Sequence, residues 1–561
     1  MRKAPSVRIV HFNDVYHVTN ELLISRFASV LHAPHTLQDP NLKSEEDIPT
    51  LRVFSGDAFS PSLEAAVLRG EHMTDLLNAL NIDVACYGNH DFDFGEDRLS
   101  YLSKLTNFPW LLRNAHKDGG LLADAKPFVV KEVAGHRFGF FGLAGTDWPS
   151  NCQHLPDCEI SNPSLCARST ARQLRIQEHC DFVIAVTHMR YEEDLTILSG
   201  PEDGPERVDF ILGGHDHNIL VYPSDNCGSD TGRDDHDQTR QPCTTTDYPG
   251  SLRLVKSGTD WRSLSILDLH IEPKSSQHDV AKIVQQRLFQ IHDLESHPNY
   301  HAIQGHSTIP PILAAVQEHV AHLVTKPLFR TAVALEGRST IIRSRETNLG
   351  NMLADIVRAF YDCDIALVNS GSIRCDKVLG PSTNGHHLSI RDAIDILPFN
   401  NAFVLRSVSG SQLLQALENA VSDDHTDGRF LQVSGMRFAF SWRLPNKRRV
   451  TRASIVDDSG MVTPIIPGVS YKTAMVDFIA TGFDGYSCFK DTTAIVDAEG
   501  AVTDTKLLME ILSSDDDNSV ASDQTAASIE RARNVIISRY HEDGLPEVEP
   551  QCDNRIHIEE H

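Results

Sequence analysis

An α/β fold in two sizeable domains is what this sequence predicts, and three observations predict it. The chain has 561 residues, 40% of them hydrophobic, which is beyond the length at which one hydrophobic core keeps growing. Through the first half, short apolar runs alternate with amphipathic stretches, the pattern of buried strands interleaved with helices. A second set of such runs follows beyond residue 328.

In order along the chain, buried strands are expected at Val7–Phe12, Leu51–Phe54, Val84–Tyr87, Phe138–Leu143, Phe182–Val186 and Phe210–Leu212. Between them Leu63–Leu80 carries Met73, Leu76, Leu77 and Leu80 at helical spacing. These elements define a first domain over residues 1–272. Within it Ser224–Asp247, with Asp225, Asp230, Asp234, Asp235 and Asp237, lacks apolar periodicity and reads as an exposed acidic insertion. A mostly helical connecting segment is expected over 273–328, where Leu313, Val316, Val320 and Leu323 form a stripe. The second domain, 329–500, has a helix over Asn348–Tyr361 and strands at Ile365–Val368, Phe403–Val408 and Met436–Trp442. The remainder, 501–561, reads as an acidic linker around Ser513–Asn518 and a tail in which Ala526–Tyr540 is a candidate docked helix.

A formal charge of −26 argues against a nucleic-acid polymer or an anionic membrane surface as the main partner, since both repel an acidic protein. No apolar leader precedes the strand at Val7, no membrane-length apolar run follows, and the C-terminus is charged, so a cytoplasmic protein is expected. The 11 cysteines show no CxxC spacing, which points away from a cysteine metal site. Cys227 and Cys243 could pair in an oxidising compartment, but free thiols are expected.

The chemistry sits at the strand ends. Asp14, Asp57, Asn89, His90, His188 and His215-Asp216-His217 each follow directly on a strand, where open α/β sheets place their sites. Carboxylate, amide and imidazole donors suit Zn²⁺, Mn²⁺ or Fe²⁺. Two such ions clamp a phosphate and bring the pKa of a bound water to about 7. Asp57 follows Gly56, which permits close approach, and its two oxygens allow it to bridge both ions.

Taken in order, Asn13-Asp14, Gly56-Asp57, Gly88-Asn89-His90-Asp91-Phe92-Asp93, Thr187-His188 and Gly213-Gly214-His215-Asp216-His217 resemble the calcineurin-like metallophosphoesterases. The resemblance implies a four-layer αββα sandwich holding two divalent metal ions. One would take Asp14, Asp57 and His217, the other Asp57, Asn89, His188 and His215. His90 would contact the phosphate and protonate the leaving oxygen, with Asp93 orienting its imidazole. Tyr16 departs from the pattern, standing where the family has a histidine. It could ligate as phenolate, give way to the neighbouring His17, leave the position to water, or merely pack.

In the second half, Arg343–Asn351, Asn369–Arg374, Leu397-Pro398-Phe399-Asn400-Asn401, Gly428–Gly435 and Phe478–Tyr486 resemble the C-terminal domain of the 5′-nucleotidase family. The two resemblances together span most of residues 7–490. They imply an α/β nucleotide-binding domain in which Phe399 and Phe478 sandwich the base and Asp484 bonds the ribose hydroxyls. Arg343 and Arg374 would hold phosphate oxygens, and Asn369 and Asn401 would meet base or sugar edges. Phe483 stands where the family has glycine. The implied activity is dinuclear-metal hydrolysis of nucleoside 5′-monophosphates. UDP-sugars or 2′,3′-cyclic nucleotides are alternative substrates, and a catalytically weakened nucleotide-binding interaction protein is the alternative role.

Overall fold

The computed structural model describes residues 6–37, 48–152, 154–223, 242–272, 281–381, 387–422, 428–513 and 523–559. The five aspartates named in the acidic insertion, Cys227, and most of the acidic linker lie outside them. The chain divides into two compact units, Met1–Glu318 and His319–His561.

The first unit is built on two sheets. One has seven strands in the order 243–248, 282–291, 264–272, 7–12, 50–54, 84–86, 110–111; the other has six, in the order 219–222, 254–257, 210–214, 182–188, 136–144, 129–133. Val7–Phe12 and Phe182–His188 are buried at every position. Such unbroken apolar runs are what strands covered on both faces require. On the inner faces Ile9, Val53 and Val84 meet Phe138, Phe140 and Ile184 in one core. On the outer faces Phe12 and Phe54 pack under Ile24 and Phe27 of the helix Glu21–His32, while Phe141 and Val183 pack under Ala167 and Leu174 of the helix Pro163–Ile176. The result is the expected αββα sandwich. Its central strands run parallel, 7–12 with 50–54 and 84–86, and 136–144 with 182–188 and 210–214. Parallel pairing brings their C-terminal ends to common edges, which is why residues scattered from 14 to 217 can meet.

Three expectations are corrected. Leu63–Leu80 is two helices, Leu63–Leu68 and Thr74–Ala79, because Arg69 and Gly70 take left-handed φ values of 49° and 82°. The segment 273–328 is not mostly helical: Lys282–Ile291 is a strand of the first sheet, and the long helix is Ile309–Leu323. Its alternation was hidden because two of its buried positions are glutamines; Gln286 is satisfied by bonds to both backbone groups of Leu252 at 2.9 and 3.0 Å. Asp247, placed in the acidic insertion, belongs to the paired strand Cys243–Tyr248.

The second unit centres on a five-stranded sheet in the order 431–434, 365–369, 470–476, 403–409, 493–496. The helix Asn348–Tyr361 covers one face and Gly410–Ala420 the other. Residues 501–513 and 523–559 are not a loose tail. Asp504–Leu512 and Asp523–Ile536 are helices contributing Ile511, Leu512, Ile529 and Ala532 to the core. Pro546–Val548 pairs with Pro327–Thr331, and Ile556–Ile558 with Met436–Phe440. Arg555 forks onto Asp355 at 2.6 and 2.8 Å. Among the described residues no helix is long and apolar enough to cross a membrane.

Candidate metal centre and nucleotide-binding residues

The strand ends of the first unit deliver Asp14, Asp57 and His188 to one buried point, each offering a ligand atom within 4.8 Å of the others. Four proposed ligands, Asp14, Asp57, His215 and His217, hold left-handed backbone angles, with φ of 54°, 64°, 80° and 56°. Such strained conformations persist only where the surroundings over-determine them. Here they do: Asp14 N–H donates to Gly56 O at 3.0 Å, and Asp91 accepts the N–H groups of Asp57, Ala58, Phe59 and Gly88 at 2.8–3.2 Å. A Cβ added at Gly88 would meet Asp57 Oδ1 at 2.1 Å, so this glycine is required by close approach.

The histidines are aimed by their second nitrogens. His188 Nδ1 lies 2.7 Å from Ser55 O and His215 Nε2 lies 3.2 Å from Asp147 Oδ2. That leaves His188 Nε2 and His215 Nδ1 buried without hydrogen-bond partners, as is Asn89 Oδ1, whose amide nitrogen donates to Asn151 O. Buried polar atoms are ordinarily satisfied. His188 Nε2 does face Asp57 Oδ2 at 3.1 Å, an electrostatic contact off hydrogen-bond alignment. Burial alone lowers the pKa of His188, but the Asp57 and Asp14 carboxylates outweigh it and push it up to about 9. Burial alone raises Asp14, and His188, His217 and Asn13 together hold it well below the usual carboxylate range. The carboxylates therefore favour positive charge at this point, and the donor set fits a divalent ion.

His90 lies beside this cluster. Its N–H donates to Asp57 Oδ1 at 2.9 Å, its Nδ1 lies 3.0 Å from Asp93 Oδ2, and Asp93 is itself fixed by the Ser60 hydroxyl at 2.7 Å. Tyr16 does not merely pack: its hydroxyl is 3.0 Å from Asp14 Oδ1, 3.3 Å from Asp57 Oδ2 and 2.8 Å from His217 Nε2. His17 does not take its place, because its Nδ1 is held at 2.9 Å by Asp260, whose other oxygen accepts the N–H of Tyr16 and of His17.

Sequence reasoning missed the supports. Asp147 orients His215 and also binds Arg190 and Asn151. Burial opposes its ionisation, yet His215 and Arg190 lower its pKa to about 2. Lys256, wholly buried, reaches Gly214 O, Asp216 and Asp194, which assigns Asp216 to anchoring the His215–His217 turn. An isolated lysine in the strand Leu254–Ser257 was the available signal.

In the second unit the predicted residues emerge from loops. Phe399 is 52% exposed, with the Arg374 guanidinium 5.0 Å from its ring centre. Phe478 is 41% exposed and stacks on Phe483, the two rings 4.9 Å apart and 9° from parallel. Asp484 adopts a left-handed φ of 51°, and Asn419 secures its carbonyl at 3.0 Å. Arg343 closes the short helix Ser339–Ile342. Asn369 is buried with its amide oxygen unpartnered. Asn401 is engaged otherwise than expected: its amide meets Asp504 at 3.3 Å and its carbonyl accepts Asp504 N–H at 2.8 Å. It is the neighbouring Asn400, at φ 53°, whose amide oxygen is buried and unpartnered.

Fold and site together resemble those of the calcineurin-like metallophosphoesterases. The family model of the 5′-nucleotidase C-terminal domain matches residues 327–491. The chain is 25% identical over 491 residues to the trifunctional nucleotide phosphoesterase protein YfkN of Bacillus subtilis, covering 78% of this chain and 30% of that protein. To the 5′-nucleotidase of Homo sapiens it is 24% identical over 474 residues, covering 79% and 76%. The fold is shared with the NAD nucleotidase of Haemophilus influenzae at a TM-score of 0.66, with 17% identity and 98% of each chain covered. The chain is thus a relative of the 5′-nucleotidases, with their C-terminal domain in its second unit.

Proposed function

We propose that this chain is a metal-dependent hydrolase releasing phosphate from nucleoside 5′-monophosphates. The observation that carries the reading is the buried convergence of Asp14, Asp57 and His188, with Asn89, His188 and His215 each presenting an unpartnered atom. Asp14, Asp57 and His217 would hold one divalent ion, and Asp57, Asn89, His188 and His215 a second. Bound there, the ions would supply Lewis acidity toward phosphate oxygens and an activated water.

The remaining work falls to side chains. Asp93 fixes Nδ1 of His90, so Nε2 is the atom that meets the phosphate and gives its proton to the departing 5′ oxygen. Phe399 and Phe478 present ring faces to the base, Arg343 and Arg374 supply forked cationic donors to phosphate oxygens, and Asn369 and Asp484 bond base and sugar. The names of the relatives support a nucleotide substrate. A cytoplasmic location belongs to the same proposal, and cell fractionation tests it.

The deciding experiment measures phosphate release from AMP, GMP, UMP, 2′,3′-cyclic nucleotides and UDP-glucose with Zn²⁺, Mn²⁺ or Fe²⁺ supplied in turn. The 5′-monophosphates are expected to turn over fastest. Stoichiometric nucleotide binding with no phosphate released under any metal would replace the enzyme with a nucleotide-binding interaction protein.

A further inference from the structure

We propose that Lys256 is a positioning residue for the second metal seat, its buried ammonium setting how far apart His188 and His215 stand. The inference rests on the two-ion reading above and adds to it a residue that touches neither ion.

The strands Phe182–His188 and Phe210–Gly214 pair in parallel as far as His188 opposite Gly214. There the ladder stops, and the carbonyls beyond it need another donor. Lys256 supplies one. It sits opposite Gly213 on the neighbouring strand Leu254–Ser257, and its Nζ donates to Met189 O at 2.6 Å and to Gly214 O at 2.8 Å. Met189 directly follows His188 and Gly214 directly precedes His215, so one ammonium ties together the backbone beside both histidines.

Two carboxylates complete its surroundings. Asp216 Oδ2 lies 2.5 Å from Nζ and Asp194 Oδ2 2.8 Å. Asp194 Oδ1 accepts the Thr187 hydroxyl at 2.7 Å, which joins the network to the residue preceding His188. Lys256 and Asp194 are both wholly buried, whereas a lysine ordinarily keeps its charged head in water. The packing leaves no slack: a Cβ added at Gly213 would meet Thr187 Oγ1 at 3.0 Å, Lys256 Cε at 3.1 Å and Asp194 Oδ2 at 3.2 Å. The first glycine of Gly213-Gly214-His215 is therefore room made for the lysine.

A buried ion pair alone shows little beyond charge balance. Two of the four oxygens around this ammonium are backbone carbonyls beside proposed ligands, which charge balance does not require. Losing a residue that aims a metal's ligands typically weakens the metal about 10–100-fold.

The test titrates Zn²⁺ into the metal-free full chain against a competing chelator, and reads thermal unfolding separately with the chelator in excess. Wild type is expected to bind two equivalents, and His215→Ala to lose one of them. Lys256→Met should weaken that same equivalent about 10–100-fold and lower Tm, since Asp194 is left buried without its cation. Lys256→Met combined with Asp194→Asn removes the cation and its partner together. In that double variant Tm should recover toward wild type while the weakened equivalent stays weak, and it carries the test if Lys256→Met alone does not fold. Affinity that recovers together with Tm, or wild-type affinity in either variant, overturns the positioning role and leaves the two-ion reading standing. A wild-type chain that binds fewer than two equivalents overturns both.

Discussion

Asp14, Asp57, Asn89 and His90 of the first unit are at most 3% exposed, whereas Phe399, Phe478 and Phe483 of the second stand 41–52% exposed. The first group is locked by backbone bonds and left-handed turns, and the second rests on ring-to-ring and cation-to-ring contacts. Charge is handled differently too. Asp14 is buried beside imidazoles and held ionised. Asp504 in the second unit is buried without a cation: burial raises its pKa to about 7, only partly offset by bonds from Thr505 and Asn401. On the proposed reading, reaction chemistry would have a rigid, charge-balanced setting, while base selection would be left to side chains one substitution can change.

The largest effect should come from disturbing the rigid half. Asp57→Asn removes a carboxylate that faces His188, accepts His90 N–H and approaches Tyr16. Turnover of AMP is expected to fall about 10³-fold, the scale seen when one preorganised electrostatic partner is lost. His90→Ala should cost about 10²–10⁴-fold in kcat, the usual range for a general acid. Activity near wild type in either variant, assayed with metal supplied, would break the assignment of chemistry to this unit.

A smaller effect, on stability alone, is expected at Asp504. Its folded pKa lies above the value of 3.8 it would have unfolded, so its stabilising contribution is present below about pH 4 and is lost as pH rises through 7. Across that window the slope is roughly 1.4 kcal/mol per pH unit. Asp504→Asn should flatten that dependence and raise stability at pH 8 with AMP turnover unchanged. Urea unfolding at pH 5 and pH 8 measures it; an unaltered difference between the two would mean Asp504 is ionised at no cost.

How legible each half was follows from the same physics. The strand Val7–Phe12 and its parallel neighbours were readable because burial on both faces leaves an uninterrupted apolar run. The donors at their ends were readable because one turn after each strand carries them. The strand Lys282–Ile291 was not, since glutamines at buried positions imitate a polar face, and residues 501–559 looked like a tail because three-residue strands such as Ile556–Ile558 carry no periodicity. Asp147 left no signal, and Lys256 only its isolation in a short apolar strand, for another reason. Each is a common residue whose role exists only through a partner far away in sequence, His215 for one and Asp216 for the other.

The smallest and most selective effect should be Phe483→Gly. A parallel ring pair is worth about 0.5–1.5 kcal/mol, or roughly two- to tenfold in a rate ratio. Phe478 sits on the short helix Asp477–Ala480 with much of its ring in solvent, and Phe483 covers one face and limits its motion. A base meeting a ring already ordered pays less entropy on binding. Removing Phe483 should therefore raise KM with little change in kcat, the mark of a contact felt equally in ground and transition states. The rise should be greater for AMP than for UMP, because a purine covers more of the ring. Equal KM shifts for both would mean that Phe483 stiffens the loop without shaping the base site, and unchanged KM for both would remove the Phe478 face from base binding.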